Sequence, residues 1–213
     1  MENTKRYDIT NEVLNAFTHG IGFGLAVAGL VLLILRGITQ GSALAVVSFT
    51  VYGSMLVMLF LFSTLYHSLI FTRARKVFQV FDHSSIYLLI AGTYTPYCLL
   101  VIGGALGWTM FGIIWGLAII GVVMKSIFLP KWDKVPKAST ILYVLMGWLV
   151  MIAIVPLWRA LEPAGFWLLV IGGVIYSVGA IIYSFKFKFA HVVWHLFVIA
   201  AAIMMWFSIY LYV

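Results

Sequence analysis

Residues 83–124 read HSSIYLLIAGTYTPYCLLVIGGALGWTMFGIIWGLAIIGVVM, and this stretch contains no Asp, Glu, Lys or Arg. A helix needs about 20 apolar residues to span the hydrocarbon core of a bilayer, so the stretch is too long for one span and long enough for two. Gly103, Gly104 and Gly107 lie near its middle and predict the turn between the two helices. The stretch therefore indicates a polytopic membrane protein.

The rest of the chain supports the same class, because 64% of its 213 residues are hydrophobic and only 9% are charged. The seven predicted spans cover roughly residues 13–35, 42–71, the two halves of 83–124, 138–158, 163–185 and 189–213. All should be α-helices, since an open sheet cannot satisfy its backbone in lipid. The first span is expected to be retained, because acidic residues precede it and its length differs from that of a signal peptide. We predict an all-α, seven-helix bundle that forms a single domain over residues 1–213.

The orientation of the bundle follows from its 13 Lys and Arg residues, because basic residues in short loops favour the cytoplasm. Eleven lie on the side of the N-terminus: Lys5, Arg6, Arg73, Arg75, Lys76, Lys125, Lys131, Lys134, Lys137, Lys186 and Lys188. Only Arg36 and Arg159 lie on the other side. We therefore predict a cell-membrane protein with a cytoplasmic N-terminus and an external C-terminus. The net charge of +7 is spread over short loops, which indicates topology signals and lipid head-group contacts rather than nucleic-acid binding.

A candidate metal site begins with His191 and His195, which are four residues apart at the start of the last span and so share one helix face. Two imidazoles on one face can bind one ion, and ionisable groups within a membrane usually indicate function. Because a helix rises 1.5 Å per residue, His195 should lie roughly 10 Å from the surface defined by Lys188. His67 should lie roughly 9 Å from the same surface, counted from Arg73. The three histidines are therefore expected to meet in one layer.

Three neutral imidazoles are a common zinc shell, and a catalytic zinc site leaves a fourth position for water, whose pKa falls to about 7. Asp82 enters span three on the same side and is the candidate to orient that water or accept its proton. Ser63 precedes His67 by one helical turn and can hydrogen-bond the water or a substrate oxygen. Simpler interpretations stand beside these: a chance four-residue pair, an interfacial His67, an Asp82 that caps span three, and a Ser63 that bonds back to a carbonyl.

A second polar set lies on span one, where Glu12, Asn15 and His19 are spaced three and four residues apart and share a face. These residues can supply hydrogen bonds to the metal ligands, or they can serve polar packing between helices. The sequence favours neither. His83 follows Asp82 directly and should point elsewhere on the helix, so we place it outside the metal set.

These residues together resemble the bacterial haemolysin III family. The resemblance rests on Glu12-x-x-Asn15-x-x-x-His19-Gly20, Ser63-x-x-x-His67, Asp82-His83, Gly92-Thr93-Tyr94-Thr95-Pro96 and His191-x-x-x-His195. That family is related to the progestin and adipoQ receptors, including the adiponectin receptors, and to proposed membrane hydrolases that include the alkaline ceramidases. The resemblance implies a seven-helix bundle with a cytoplasmic N-terminus. It also implies a zinc ion held by three histidines, matching His67, His191 and His195, and an aspartate at the metal-bound water, matching Asp82.

Two classes of function are compatible with this pattern. The first is a zinc-dependent hydrolase that cleaves an amide or ester of a membrane lipid, which would then be its substrate. The second is a non-enzymatic membrane protein with structural zinc, either a cytolysin-like permeabiliser, as the family name suggests, or a regulator of membrane lipid state. The role of Asp82 separates the two, because a permeabiliser should survive its loss and a hydrolase should not.

Overall fold

The computed structural model describes residues 2–131, 137–185 and 187–213, and Lys134 and Lys186 of the predicted basic loops lie outside them. The α-helices are α1 (Glu2–Thr39), α2 (Ala43–Ser68), α3 (Arg75–Pro96), α4 (Gly104–Phe128), α5 (Lys137–Trp148), α6 (Ile154–Ala160), α7 (Pro163–Ser184) and α8 (Ala190–Tyr212). Seven segments of the described chain are long and apolar enough to cross a membrane: Ile9–Thr39, Ala43–Ser68, Arg75–Ile102, Gly104–Lys131, Ser139–Ala160, Pro163–Ser184 and Ala190–Tyr212. The all-α, seven-span expectation is confirmed, and the orientation of the termini stays a prediction.

The stretch that decides the fold contains the predicted break between two spans. Pro96 has no N–H to continue the helical hydrogen bonds, and α3 gives way after it to a π-helix over Tyr97–Ile102. Gly103 and Gly104 then adopt φ values of 59° and 53°, which glycine tolerates at little cost. The predicted turn therefore lies at this pair. Gly107 was expected to belong to it, but lies inside α4, where its N–H donates to the Gly103 carbonyl at 2.8 Å.

The third span begins earlier than the sequence suggested. Asp82 was expected near its start, as a possible N-cap, but α3 begins at Arg75, and Ala74 occupies the cap position. The segment RKVFQVF at 75–81 has two basic residues and one glutamine among four apolar residues. It extends the helix beyond the apolar stretch. Asp82 therefore lies in the interior of α3, and the capping interpretation is wrong.

The packing of α1, α2 and α8 positions the candidate site. Helix α1 packs along α2 and against α8, and α8 also packs along α7. The core between these helices includes Leu33 of α1, Phe49 and Tyr52 of α2, and Val198 of α8. Outward-facing residues are apolar as well, as expected for a surface in contact with lipid. This arrangement brings the start of α8 beside the end of α2 and the first half of α1.

Close approach of α1 and α2 depends on Gly37. A Cβ atom added there would lie 2.8 Å from the Cα atom and 2.9 Å from the backbone nitrogen of Val46, so an alanine would push the two backbones apart. We expect Gly37→Ala to lower the free energy of unfolding by about 1–3 kcal/mol, as overpacking does. A lower melting temperature of the detergent-solubilised protein would show this. Gly24→Ala on the same helix is the control, because its Cβ would meet nothing within 4 Å and alanine favours a helix. Equal melting temperatures for the two variants would contradict the close packing.

Candidate metal centre

Three histidines from two helices converge at one end of the bundle. His67 lies in the last turn of α2, and His191 and His195 lie in the first turns of α8. One ligand nitrogen of each lies within 4.8 Å of the other two. The ring centroids are 4.9 Å apart for His67 and His191, 5.1 Å for His67 and His195, and 4.7 Å for His191 and His195. The expectation that the three meet in one layer is confirmed.

The three side chains fit a metal ion by donor type and by spacing. Imidazole nitrogen binds zinc at about 2.0–2.1 Å, so tetrahedral ligands have nitrogens about 3.4 Å apart. Small side-chain movements would bring the three ligand atoms to that spacing. His67 and His195 are 3% and 2% exposed, and His191 is half-buried. The cluster can therefore hold a metal ion in a site largely shielded from solvent.

Glu12 and Arg75 hold the side chain of His67 in place. The Nδ1–H of His67 donates to Oε2 of Glu12 at 2.5 Å, and Arg75 donates to the other carboxylate oxygen at 2.6 Å. This bond leaves the lone pair on Nε2 of His67 for a metal, and that atom has no hydrogen-bond partner within the described part of the chain. Arg75 also lies over the ring of Tyr66, with 5.2 Å to its centroid. One carboxylate thus links α1, the end of α2 and the start of α3.

The backbone and one side chain of α1 orient the imidazole of His195. The Nδ1–H of His195 lies 3.3 Å from two acceptors, the carbonyl oxygen of Asn15 and Oγ1 of Thr18. The Thr18 hydroxyl itself donates to the carbonyl of Leu14, so it can accept from the imidazole. This leaves Nε2 of His195 for a metal. The ring of His19 stacks on that of His195, with centroids 3.5 Å apart and planes 12° from parallel.

One interpretation of the polar set on span one was hydrogen bonding to the three histidines. Glu12 does bond in this way, to His67. Asn15 contributes through its backbone carbonyl, which no residue type would reveal, and His19 contributes by stacking. Arg75 and Thr18 were not predicted. Arg75 was counted only as a loop charge, and Thr18, which lies three residues after Asn15, was left out of the polar set.

The predicted catalytic residues, Asp82 and Ser63, do not belong to the three-histidine cluster. Asp82 does not belong to the group at metal-ligand distance among the described residues; its Oδ2 lies 3.4 Å from Nδ1 of His83. It also interacts electrostatically with Tyr66 and Tyr183, whose rings contact His67 and His191, respectively. His83 donates from Nδ1 to the Gln79 carbonyl at 2.8 Å and, as expected, is not part of the metal group.

Ser63 is buried one turn deeper than His67, and its hydroxyl has no hydrogen-bond partner among the residues that the structure describes. The adjacent Thr64 behaves differently, since its hydroxyl donates to the Phe60 carbonyl at 2.6 Å. The interpretation that Ser63 bonds back to a carbonyl one turn earlier is therefore wrong. Its hydroxyl is free to bind water or substrate.

An apolar cavity of about 700 Å³ reaches the cluster at His191. It lies between α1, α5, α7 and α8 and is lined mainly by apolar side chains, among them Ile141, Leu145 and Ile181, which are also exposed on the outer surface. Tyr183 and Asn11 also line the cavity and supply polar groups. The volume is typical of a site for a small organic ligand. The cavity thus joins the three-histidine cluster to a lipid-facing surface.

The fold and the site together define a multi-pass membrane protein with three convergent histidines, two buried and one half-buried, that can hold a metal ion. A sequence profile described as "Haemolysin-III related" matches residues 7–206, nearly the whole chain, and the protein belongs to this family. The family resemblance drawn from the motifs is confirmed, and with it a multi-pass location in the cell membrane.

The relatives that match this chain cover most of its sequence. The chain is 48% identical to "Hemolysin-3" of Bacillus cereus over 206 residues, which is 96% of this chain and 93% of that protein. It is 44% identical to "Hemolysin-3 homolog" of Bacillus subtilis (strain 168), over 97% of this chain and 96% of the relative. The human "Monocyte to macrophage differentiation factor" is 28% identical over 169 residues, covering 76% of this chain and 68% of that protein. No solved structure matches the chain.

Glu12 is expected to tune the affinity of the metal centre. Glu12→Gln removes the charge that pairs with Arg75 and leaves His67 a weaker, neutral acceptor, so the side chain of His67 is held less firmly. Substitutions of this kind weaken metal binding by about 10–100-fold. Titration of the purified protein with zinc against a chromophoric chelator would measure this change. Glu162→Gln is the matched control, because Glu162 lies just before α7, away from the histidines. An unchanged zinc affinity in Glu12→Gln would contradict the positioning role.

Proposed function

We propose that this protein is a zinc-dependent hydrolase that cleaves an amide or ester bond of a membrane lipid. The observation that carries the proposal is the convergence of three imidazoles, one of which, His191, lines an apolar cavity. Three histidine ligands leave a fourth position for water or substrate, which is the arrangement of catalytic rather than closed structural zinc sites.

Each residue of the site has a part in the proposed reaction. Zinc bound by the three imidazoles would supply a Lewis acid for the lipid carbonyl and lower the pKa of an attacking water to about 7. Asp82 accepts the proton from that water at its carboxylate as the oxygen bonds to the carbonyl carbon. It then gives the proton to the leaving nitrogen or oxygen as that bond breaks. The Ser63 hydroxyl donates to a substrate oxygen. Asp82 must approach to within about 2.6–3.2 Å of the water, as catalytic contacts often tighten only in the complex.

A lipid is the substrate class that the surroundings support. The cavity is mainly apolar, and several of its lining residues are also exposed on the outer face of the helices. An acyl chain can therefore lie in the cavity while its carbonyl approaches His191. A soluble, charged substrate would leave polar groups unpaired there.

The test compares membrane lipids of cells that express the protein with those of cells that lack it. A hydrolase depletes one class of acyl lipid and accumulates the corresponding fatty acid and the remaining alcohol or amine. Lipid mass spectrometry measures both changes. Identical lipid profiles in the two cell types would contradict the proposal.

The name of the Bacillus cereus relative, "Hemolysin-3", carries a second candidate function, permeabilisation of a membrane. A permeabiliser acts through the lipid-facing surface and does not need a proton acceptor beside a metal. Release of a dye from vesicles by the wild-type protein, undiminished by loss of Asp82, would favour this candidate.

A further inference from the structure

We infer that Asn15 and His19, with Ser63, form a binding subsite for an uncharged hydrogen-bonding group of the substrate, an amide or a hydroxyl, beside the metal centre. The inference rests on the proposed lipid hydrolase and narrows its substrate class. It differs from the contacts described above, which concern the Asn15 carbonyl and the stacking face of His19. The subsite consists of side-chain atoms that those contacts do not use.

The pairing of α1 with α2 places the three side chains within the same two helical turns. Glu12 contacts His67, and seven residues further along α1 the ring of His19 packs edge-on against Phe60, with centroids 5.0 Å apart. Phe60 likewise precedes His67 by seven residues, so the antiparallel helices run in step between these two contacts. Asn15 on α1 and Ser63 on α2 lie between them. The three polar side chains therefore occupy the two turns next to His67, on the side of the membrane interior.

These side chains are almost fully buried. Asn15 is 1% exposed, His19 3% and Ser63 1%. Both amide atoms of Asn15, both ring nitrogens of His19 and Oγ of Ser63 have no hydrogen-bond partner in the described segments. The His195 backbone carbonyl lies near the His19 ring, but it can satisfy at most one of the two nitrogens. Most buried polar groups in proteins are hydrogen-bonded, and each unpaired one destabilises the fold.

A cluster of such exceptions at a functional site indicates a partner from outside the chain. The cluster adjoins the metal centre directly, because the His19 ring stacks on His195. Ser63 lies four residues from His67, or about 6 Å along the helix. A ligand whose carbonyl is held at the three histidines can therefore place a second polar group against Asn15 and His19.

The donor set determines the chemistry of that group. Asn, Ser and a neutral imidazole each offer a donor and an acceptor and carry no charge. Arg75, a cation near His67, is already paired with Glu12, so it does not offer a free positive charge to the subsite. A phosphate or carboxylate would use only the donors and would leave the acceptors unpaired, whereas an amide or hydroxyl can use both donors and acceptors. The subsite therefore selects a lipid with an uncharged polar group close to the scissile bond.

The test uses zinc-loaded, full-length protein and two probes of equal chain length. One is N-dodecanoyl ethanolamine, which offers an amide and a hydroxyl, and the other is dodecanoate, which is an anion. Tryptophan fluorescence measures the affinity for each, and mass spectrometry verifies that the probe stays intact. We expect the Asn15→Leu/His19→Phe double variant to bind the amide probe about 10-fold more weakly or worse, since two or more hydrogen bonds are lost. Its zinc content should equal that of the wild type, because both side chains lie outside the ligand set.

Thr64→Val is the matched control, because Thr64 adjoins the subsite but its hydroxyl is satisfied within its own helix. If the double variant does not fold, Asn15→Leu and His19→Phe are compared singly, each with an expected loss of about three-fold or more. Unchanged affinity for the amide probe in a zinc-loaded variant would overturn the subsite, and so would an equal loss of affinity for dodecanoate, whose carboxylate can bind the zinc itself. If the substitutions weaken probe binding but no lipid is ever hydrolysed, the subsite stands and the hydrolase proposal falls.

Discussion

His195→Ala is expected to remove the metal from the purified protein. His195 supplies one of three ligand nitrogens that lie within 4.8 Å of one another, and it is held in place by bonds from its Nδ1 to α1. The two imidazoles that remain, those of His67 and His191, lie on separate helices and cannot replace the missing ligand. Zinc should fall from about one ion per chain to less than about a tenth. Elemental analysis of protein purified in the same detergent measures the content directly.

A second histidine provides the control for this result. His83 is half-buried in the same part of the bundle, but it bonds to the Gln79 carbonyl and lies outside the metal group. His83→Ala should therefore keep its zinc. Equal zinc in the wild type and His195→Ala would show that the three histidines do not hold the ion. A loss in both variants would indicate that zinc content reports the fold and not the ligand.

The convergence of the three histidines was predictable because helical geometry converts spacing into position. The four-residue spacing of His191 and His195 gave a shared face, and counting residues from Lys188 and Arg73 gave a shared depth with His67. Both arguments need only the rise of a helix and the locations of the loop charges. The break at Gly103-Gly104 was predictable for a similar reason, since an apolar stretch of known length must turn somewhere.

Other parts of the site depend on contacts that spacing cannot reveal. Arg75 and Glu12 are 63 residues apart, and their bond depends on how α3 packs beside α1. The position of Asp82 was misjudged because polarity was used to find the start of α3, whereas the helix continues beyond the apolar stretch to Arg75. The stacking of His19 on His195 likewise depends on the contact between α1 and α8. Sequence periodicity describes one helix at a time, and these features belong to pairs of helices.

Asp82→Asn is expected to keep the zinc and abolish hydrolysis. The amide has the size of the carboxylate but cannot accept a proton, and loss of a general base slows a reaction by about 10²–10⁴-fold. Asp82 lies outside the metal group, so the ion should remain. The measurement is the lipid composition of cells that express wild type, Asp82→Asn or no protein, together with zinc content and melting temperature of each purified variant.

The pattern across these strains separates the candidate functions. For a hydrolase in which Asp82 is the proton acceptor, the lipids of Asp82→Asn cells match those of null cells and differ from wild type. Asp82→Glu keeps a carboxylate and should recover part of the activity, which a merely structural contact with His83 would not require. If Asp82→Asn matches wild type while the null strain differs, another group takes the proton. If all three strains have the same lipids and the wild type and Asp82→Asn release dye from vesicles equally well, the protein permeabilises membranes, and the metal serves the fold.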